Sequence, residues 1–227
     1  MIYNVQHIGL GRRSRIKDRV MKNPGSLTDA EVLESILFLA NPRKDAKKSA
    51  VSILANHRNL RSVLLKVVNE GFTSKEITNS VATVLKCFHE AFLRILRNDY
   101  STGIALNSWD SILNYLKLKI GSRQTEVVMV FYLNSSLELL EEKEVSTGTI
   151  DAVSLYEREI IKTALNVGAT SLIIAHNHFG DHVEPSKADI ESTVSLVETC
   201  KRLNVDVLDH VIVSVNQHYS FKDNYLI

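Results

Sequence analysis

The chain has 227 residues, enough for one large or two small domains, and a hydrophobic content of 44% is ample for a core. Two cysteines, Cys87 and Cys200, exclude a disulfide framework and any paired-cysteine zinc spacing, so both are expected to be small buried residues. The net charge of +1 hides an imbalance: residues 1–100 carry 17 Lys and Arg against 9 Asp and Glu, and the remainder is acidic. That pattern suits a polyanion partner, or mutual attraction of the two parts, equally well.

Met1 to His7 contain no apolar signal core, and the longest strongly apolar run, Val127 to Leu133, is too short to span a bilayer. A cytoplasmic protein is the expectation. The basic run from Gly11 to Arg19 opens a predicted helix that Asn23-Pro24-Gly25 ends. Thr28 and Glu31 form a capping box ahead of a helical apolar pattern that Asn41-Pro42 closes. Residues 47–57 and 60–68 are two further short helices. Thr73-Ser74-Lys75-Glu76 is expected to start a longer one, running toward Ile95. Residues 1–100 thus read as a small all-helical domain, and the polar stretch 97–103 as a linker.

In the second part, Asn107-Ser108-Trp109-Asp110 cap a helix to about Ile120, which Gly121 ends. Residues 127–133 form a strand, Asn134-Ser135-Ser136 a turn, and residues 137–145 a second strand with Glu141, Glu142 and Glu144 on exposed edges. A helix over 156–167, a strand over 171–175, a helix from Pro185-Ser186 to Arg202, strands over 205–208 and 210–215, and a closing 219–221 complete the pattern. Apolar strands alternating with helices make a layered α/β domain over residues 105–227.

Chemistry concentrates between Ala175 and Asp189. His176 and His178 are two apart, so an extended exit from the strand sends both imidazoles to one face. Ser186 and Asp189 are three apart and share the first turn of a helix. Two imidazoles and a carboxylate are the ligand set of a catalytic zinc site, which keeps a fourth position open. Ser186 with Asp189 is equally a helix N-cap with an acid at its third position. His182 is expected to be a solvated loop histidine, and His210 to give packing or outer support to the site rather than a ligand.

His-x-His, seven residues, Ser, two residues, Asp resembles the motif of the JAMM (MPN+) metalloproteases. Ser146-Thr147-Gly148-Thr149, Arg158-Glu159-Ile160, Ala175-His176-Asn177-His178 and Leu208-Asp209-His210-Val211-Ile212-Val213 resemble segments of the bacterial RadC family, in that family's order, across residues 108–221. The resemblance implies a deaminase-like α/β/α fold and a zinc-dependent peptidase or isopeptidase acting on a peptide or protein. It implies one Zn2+ per chain on His176, His178 and Asp189, with Glu126 as general base and Ser186 as oxyanion donor. Residues 27–33 resemble the RadC N-terminus, yet the Gly-x-Gly hairpin expected near Glu70 to Lys75 is missing. Weak DNA binding through Arg12, Arg13, Arg15 and Arg19 is therefore the most that is expected of it. The zinc loop also departs from the family: Phe179-Gly180-Asp181-His182 replaces a proline-containing turn, and Glu157 replaces a proline. The competing function is a DNA-associated accessory protein that uses the metal domain for interaction. A nucleobase deaminase would need His-x-Glu together with Pro-Cys-x-x-Cys, and no Pro-Cys-x-x-Cys is present.

Overall fold

The computed structural model describes residues 11–40, 45–71, 73–75, 77–101, 109–147, 153–178 and 180–227. The chain divides into two compact units, Met1–Glu90 and Ala91–Ile227. Among the described residues no helix is long and apolar enough to cross a membrane.

The first unit is helical, with α1 (Arg12–Lys22), a 3-10 turn at Pro24–Ser26, α2 (Asp29–Ala40), α3 (Ala46–Ala55), α4 (Leu60–Glu70) and the start of α5 (Asn79–Ser101). The capping box before α2 forms: Thr28 N donates to the Glu31 carboxylate at 3.0 Å, and Glu31 N donates to Thr28 Oγ1 at 3.3 Å. The basic run of α1 is largely engaged within the unit. Arg12 forks onto the buried Glu34 at 2.9–3.0 Å, Arg19 meets Glu31 at 2.6 Å, and the Arg13 guanidinium lies 4.9 Å from the centre of the Phe38 ring. Beneath them Leu33, Leu37, Ile53, Val63, Val67, Ile77 and Val81 pack into one core.

Three boundaries differ from the sequence expectation. The signals at Thr73 to Glu76 do not open α5; Ser74 instead closes a turn, exchanging bonds with Ile77 through its N–H (2.9 Å) and its hydroxyl (3.0 Å), so the helix begins at Asn79. Gly71, the single glycine of the degenerate hairpin, takes φ 61° to end α4, a conformation that costs glycine little. At its other end α5 passes Ile95 and continues to Ser101, because no proline or glycine interrupts it before Gly103. The polar residues read as the start of a linker are therefore helical. Cys87 is exposed and only Cys200 is buried, so the cysteine expectation held for one of the pair. Asn41-Pro42 and Asn107-Ser108 lie outside the described residues.

The second unit is built on a five-stranded sheet in the order β2-β1-β3-β4-β5, with β1 (Val127–Leu133), β2 (Leu139–Thr147), β3 (Ser171–Asn177), β4 (Asp206–Val213) and β5 (His218–Ser220). β3 and β4 are parallel and joined through α8 (Lys187–Arg202); the other neighbours are antiparallel. On one face α6 (Trp109–Lys119) buries Ile112 and Leu116 against Val127, Met129, Phe131, Ile173 and Val211. On the other, α7 (Val153–Val167) and α8 bury Ile160, Ala164, Leu196 and Cys200 against Val130, Tyr132, Leu172 and Ile174. This is an α/β/α layering. Strands buried on both faces carry the continuous apolar runs seen in β1 and β3.

Three local expectations are corrected here. The two strands foreseen around Asp209 are one, β4, whose register against β3 shifts between Leu172 and Ile173, so Leu208 is an extra residue in a bulge rather than a break. Glu142 is not on an exposed edge: its side chain is 3% exposed, held by Tyr115 Oη at 2.6 Å, Lys119 Nζ, and Arg97 Nε at 3.3 Å. Gly121 ends α6 for a different reason from a left-handed cap. A Cβ there would lie 2.6 Å from the Ser214 carbonyl oxygen, so close backbone approach demands the glycine. Glu157 accepts bonds from Ser195 and Thr199 and ties α7 to α8.

Candidate metal centre

The centre lies where β3 ends and α8 begins. The whole of β3 is buried, which orients its last residues rigidly: His176 is 5% exposed. His178 follows two residues on and faces the same way, its Nε2 3.0 Å from His176 Nε2. Asp189 arrives from the first turn of α8. Its Oδ1 lies 3.4 Å from His176 Nε2 and its Oδ2 3.3 Å from His178 Nε2. Among the described residues this is the one group of three or more His, Cys, Asp or Glu side chains that could hold a metal ion. The separations fit zinc: bonds of about 2.0–2.1 Å in a tetrahedron put neighbouring ligands about 3.4 Å apart. The donor chemistry fits too, with two imidazole nitrogens and one carboxylate.

Electrostatics hold His176 and Asp189 in the protonation states that ligate a metal. Burial pushes the His176 imidazole down to about 4, overriding the pull of Asp189, so His176 is neutral at ordinary pH. His178 is raised, first by its hydrogen bond to Asp189 and further by the charges of Asp189 and Glu126, against an opposing effect of burial. Burial alone would raise the Asp189 carboxyl. The bond to His178, the neighbouring His176 and two bonds from Ser186 outweigh it and hold the group well below the carboxylate range.

Both readings of Ser186 and Asp189 meet in one geometry. Ser186 caps α8: its Oγ accepts from Asp189 N at 3.1 Å, and its own N–H donates to Asp189 Oδ2 at 2.8 Å. The Ser186 hydroxyl also donates to Oδ2, at 2.6 Å. The cap thus engages one carboxylate oxygen while Oδ1 stays turned toward His176.

Glu126 is exposed at the entrance to β1. Just inside it Val128 pairs with His176, and the Glu126 charge helps raise the His178 pKa. Asn177 points away from the ligands into the protein. It is fully buried, accepts from Val127 N at 2.9 Å and donates to the carbonyls of Arg123 and Thr125 at 3.2 Å each.

A family model described as the RadC-like JAB domain matches residues 106–226. The chain belongs to that family. The matched JAB domain lies within the second unit and includes the His-His-Asp group. Over nearly its whole length the chain is also similar to two bacterial proteins of the UPF0758 series. One is UPF0758 protein FN0909 of Fusobacterium nucleatum, 33% identical over 225 residues, 96% of this chain and 97% of that protein. The other is UPF0758 protein SPO0054 of Ruegeria pomeroyi, 33% identical over 211 residues, 92% of this chain and 94% of that protein.

Beyond His178 the described loop residues are tied to the sheet. Asp181 accepts from Ser214 Oγ at 2.6 Å and from Asn216 Nδ2 at 3.1 Å, and Val183 is buried beside Ile212 and Phe221. His182 is exposed and stacks on His178, ring centres 6.0 Å apart, outside the donor group. His210 is buried behind His176, with Nε2 2.7 Å from His176 Nδ1. Thr193 was not foreseen at all. It touches His210 Nδ1 at 2.6 Å, and the only signal for it was its place one helical turn after Asp189.

Proposed function

We propose that the JAB domain is a zinc-dependent peptidase or isopeptidase. The observation that carries this reading is the convergence of His176, His178 and Asp189 within ligand distance, and the charge of Glu126, felt at His178, supports it. When bound, zinc supplies Lewis acidity and makes a water reactive at neutral pH. His176, His178 and Asp189 hold the ion at a rigid strand end and a capped helix start. Glu126 takes a proton from the attacking water and returns it to the departing nitrogen as the carbon–nitrogen bond breaks. Ser186 Oγ, at the rim, turns its proton from Asp189 Oδ2 to the developing oxyanion.

The DNA-accessory reading draws less support. Arg12 and Arg19 are paired with Glu34 and Glu31, and Arg13 covers Phe38, which leaves less of the basic run for phosphates than its sequence promised. The test of the enzyme reading is zinc content of the purified chain, then a peptide-library cleavage screen with and without chelator. Stoichiometric zinc and chelator-sensitive cleavage are expected. A chain that binds no zinc, or cleavage indifferent to chelator, refutes the reading.

A further inference from the structure

Behind the candidate ligands runs a line of buried polar groups. Thr193 is 2% exposed and His210 6% exposed, and the His210 ring is stacked on Phe221 with centroids 4.5 Å apart. Five atoms line up in sequence: the Asp189 carbonyl oxygen, Thr193 Oγ1, the two ring nitrogens of His210, and His176 Nδ1.

Proton placement along this line follows from what each group can do. The Asp189 carbonyl only accepts, and Thr193 Oγ1 lies 2.5 Å from it, so the hydroxyl proton is committed there. Thr193 Oγ1 then has only lone pairs to offer His210 Nδ1, 2.6 Å away, and His210 must carry its proton on Nδ1. A neutral His210 protonated on Nδ1 has a bare Nε2, and that atom lies 2.7 Å from His176 Nδ1. His176 must therefore donate from Nδ1. Its own Nε2 is left as a lone pair, and that is the atom aimed at His178 and Asp189. Reversing any one bond would put a proton on His176 Nε2 and block it as a ligand.

We propose that Thr193 and His210 are positioning residues of the metal centre, a two-member relay that starts at the Asp189 backbone and locks His176 in the one tautomer able to bind a metal. The inference rests on the zinc reading and deepens it. It also explains an economy of the fold: Asp189 serves the centre twice, its carboxylate as a ligand and its carbonyl as the anchor that fixes the other ligand's tautomer. A hydrogen bond to the distal ring nitrogen orients a ligating histidine and raises its basicity, and losing such a partner typically costs ~10–100-fold in metal affinity.

The test uses the full chain and zinc itself. In metal-free protein labelled at the imidazole nitrogens, NMR should show the proton on Nδ1 in both His210 and His176. In Thr193→Val, which keeps shape but removes the hydroxyl, zinc affinity measured by chelator competition should fall ~10–100-fold. His210→Phe keeps the stack on Phe221 and should lose as much, whereas His210→Gln, whose amide can accept from His176 and donate to Thr193, should recover most of the loss. A proton on His210 Nε2, or zinc affinities of Thr193→Val and His210→Phe within twofold of the parent, overturns the relay. A parent chain that binds no zinc overturns the peptidase reading instead, and the tautomers of the metal-free protein still decide the relay.

Discussion

Asn177 lies between two ligands yet faces the opposite side of β3, and replacing it by alanine separates support of Glu126 from support of zinc. The side chain supplies an acceptor to the buried N–H of Val127 at 2.9 Å and two donors to the Arg123 and Thr125 carbonyls at 3.2 Å. Orphaning a buried N–H costs about 1–3 kcal/mol, and each of the two carbonyls, nearer the surface, adds roughly 0.5–1 kcal/mol. The total of roughly 2–5 kcal/mol should lower the melting temperature by roughly 5–15 °C for a chain of this size. Because Glu126 immediately precedes Val127, the same change frees the proposed base, and cleavage should fall along with stability. Zinc should remain near one equivalent, since no ligand is touched. Asn177→Asp sharpens the test: it keeps the acceptor for Val127 but sets a carboxylate against two carbonyls, so it should be no more stable than the alanine variant. Melting by circular dichroism, zinc stoichiometry and cleavage rate read the three effects. An alanine variant that melts within about 1 °C of the parent would refute the bookkeeping, and one that loses zinc would show that Asn177 serves the ligands instead.

Other expected outcomes follow from the same geometry. His176→Ala should abolish stoichiometric zinc, and a full equivalent retained would break the ligand assignment. Glu126→Gln should reduce peptide hydrolysis by ~10²–10⁴-fold with zinc and melting temperature almost unchanged, whereas hydrolysis at the parent rate would remove Glu126 as the base. Metal-free protein should lose stability as pH falls from about 6.5 toward 4. The unfolded His176 takes up a proton in that window and the folded one, with its pKa near 4, does not, a difference of about 3 kcal/mol. Buried His210 acts in the same direction, while His178, raised by Asp189, opposes it with a contribution lost as pH rises through its folded pKa. Urea midpoints at pH 7.5 and 4.5 measure the net effect, and equal midpoints would contradict it. In the helical unit, Arg12→Gln should destabilise by ~1–3 kcal/mol, because Glu34 is left buried without its partner, while DNA binding, expected to be weak and salt-sensitive, changes little. Tight binding that survives high salt and neutralisation of Arg12, Arg13, Arg15 and Arg19 would reverse that view.

The features legible in the sequence are those that local geometry decides. A two-residue period puts His176 and His178 on one face of an extended segment, and a three-residue step puts Ser186 and Asp189 in one helical turn. Capping boxes announce α2 and α8, and apolar runs announce β1 and β3 almost to the residue. Such signals span seven residues or fewer, so no folded context is needed to read them. Everything beyond that reach belongs to the tertiary structure. Only packing between the sheet and α8 carries Asp189 back to within 3.3 Å of His178, eleven residues away. Only the β1–β3 register, set by which side chains enter the two cores, brings the start of β1 beside His176. Glu142 looked like a solvated edge because nothing near it in sequence carries the positive charges and the tyrosine that enclose it. Leu208 looked like a strand end because a bulge exists only relative to a partner strand. His210 and Thr193 have no metal spacing, and they acquire a role because β4 runs parallel to β3 and α8 lies over both, which sets a histidine and a hydroxyl behind the first ligand.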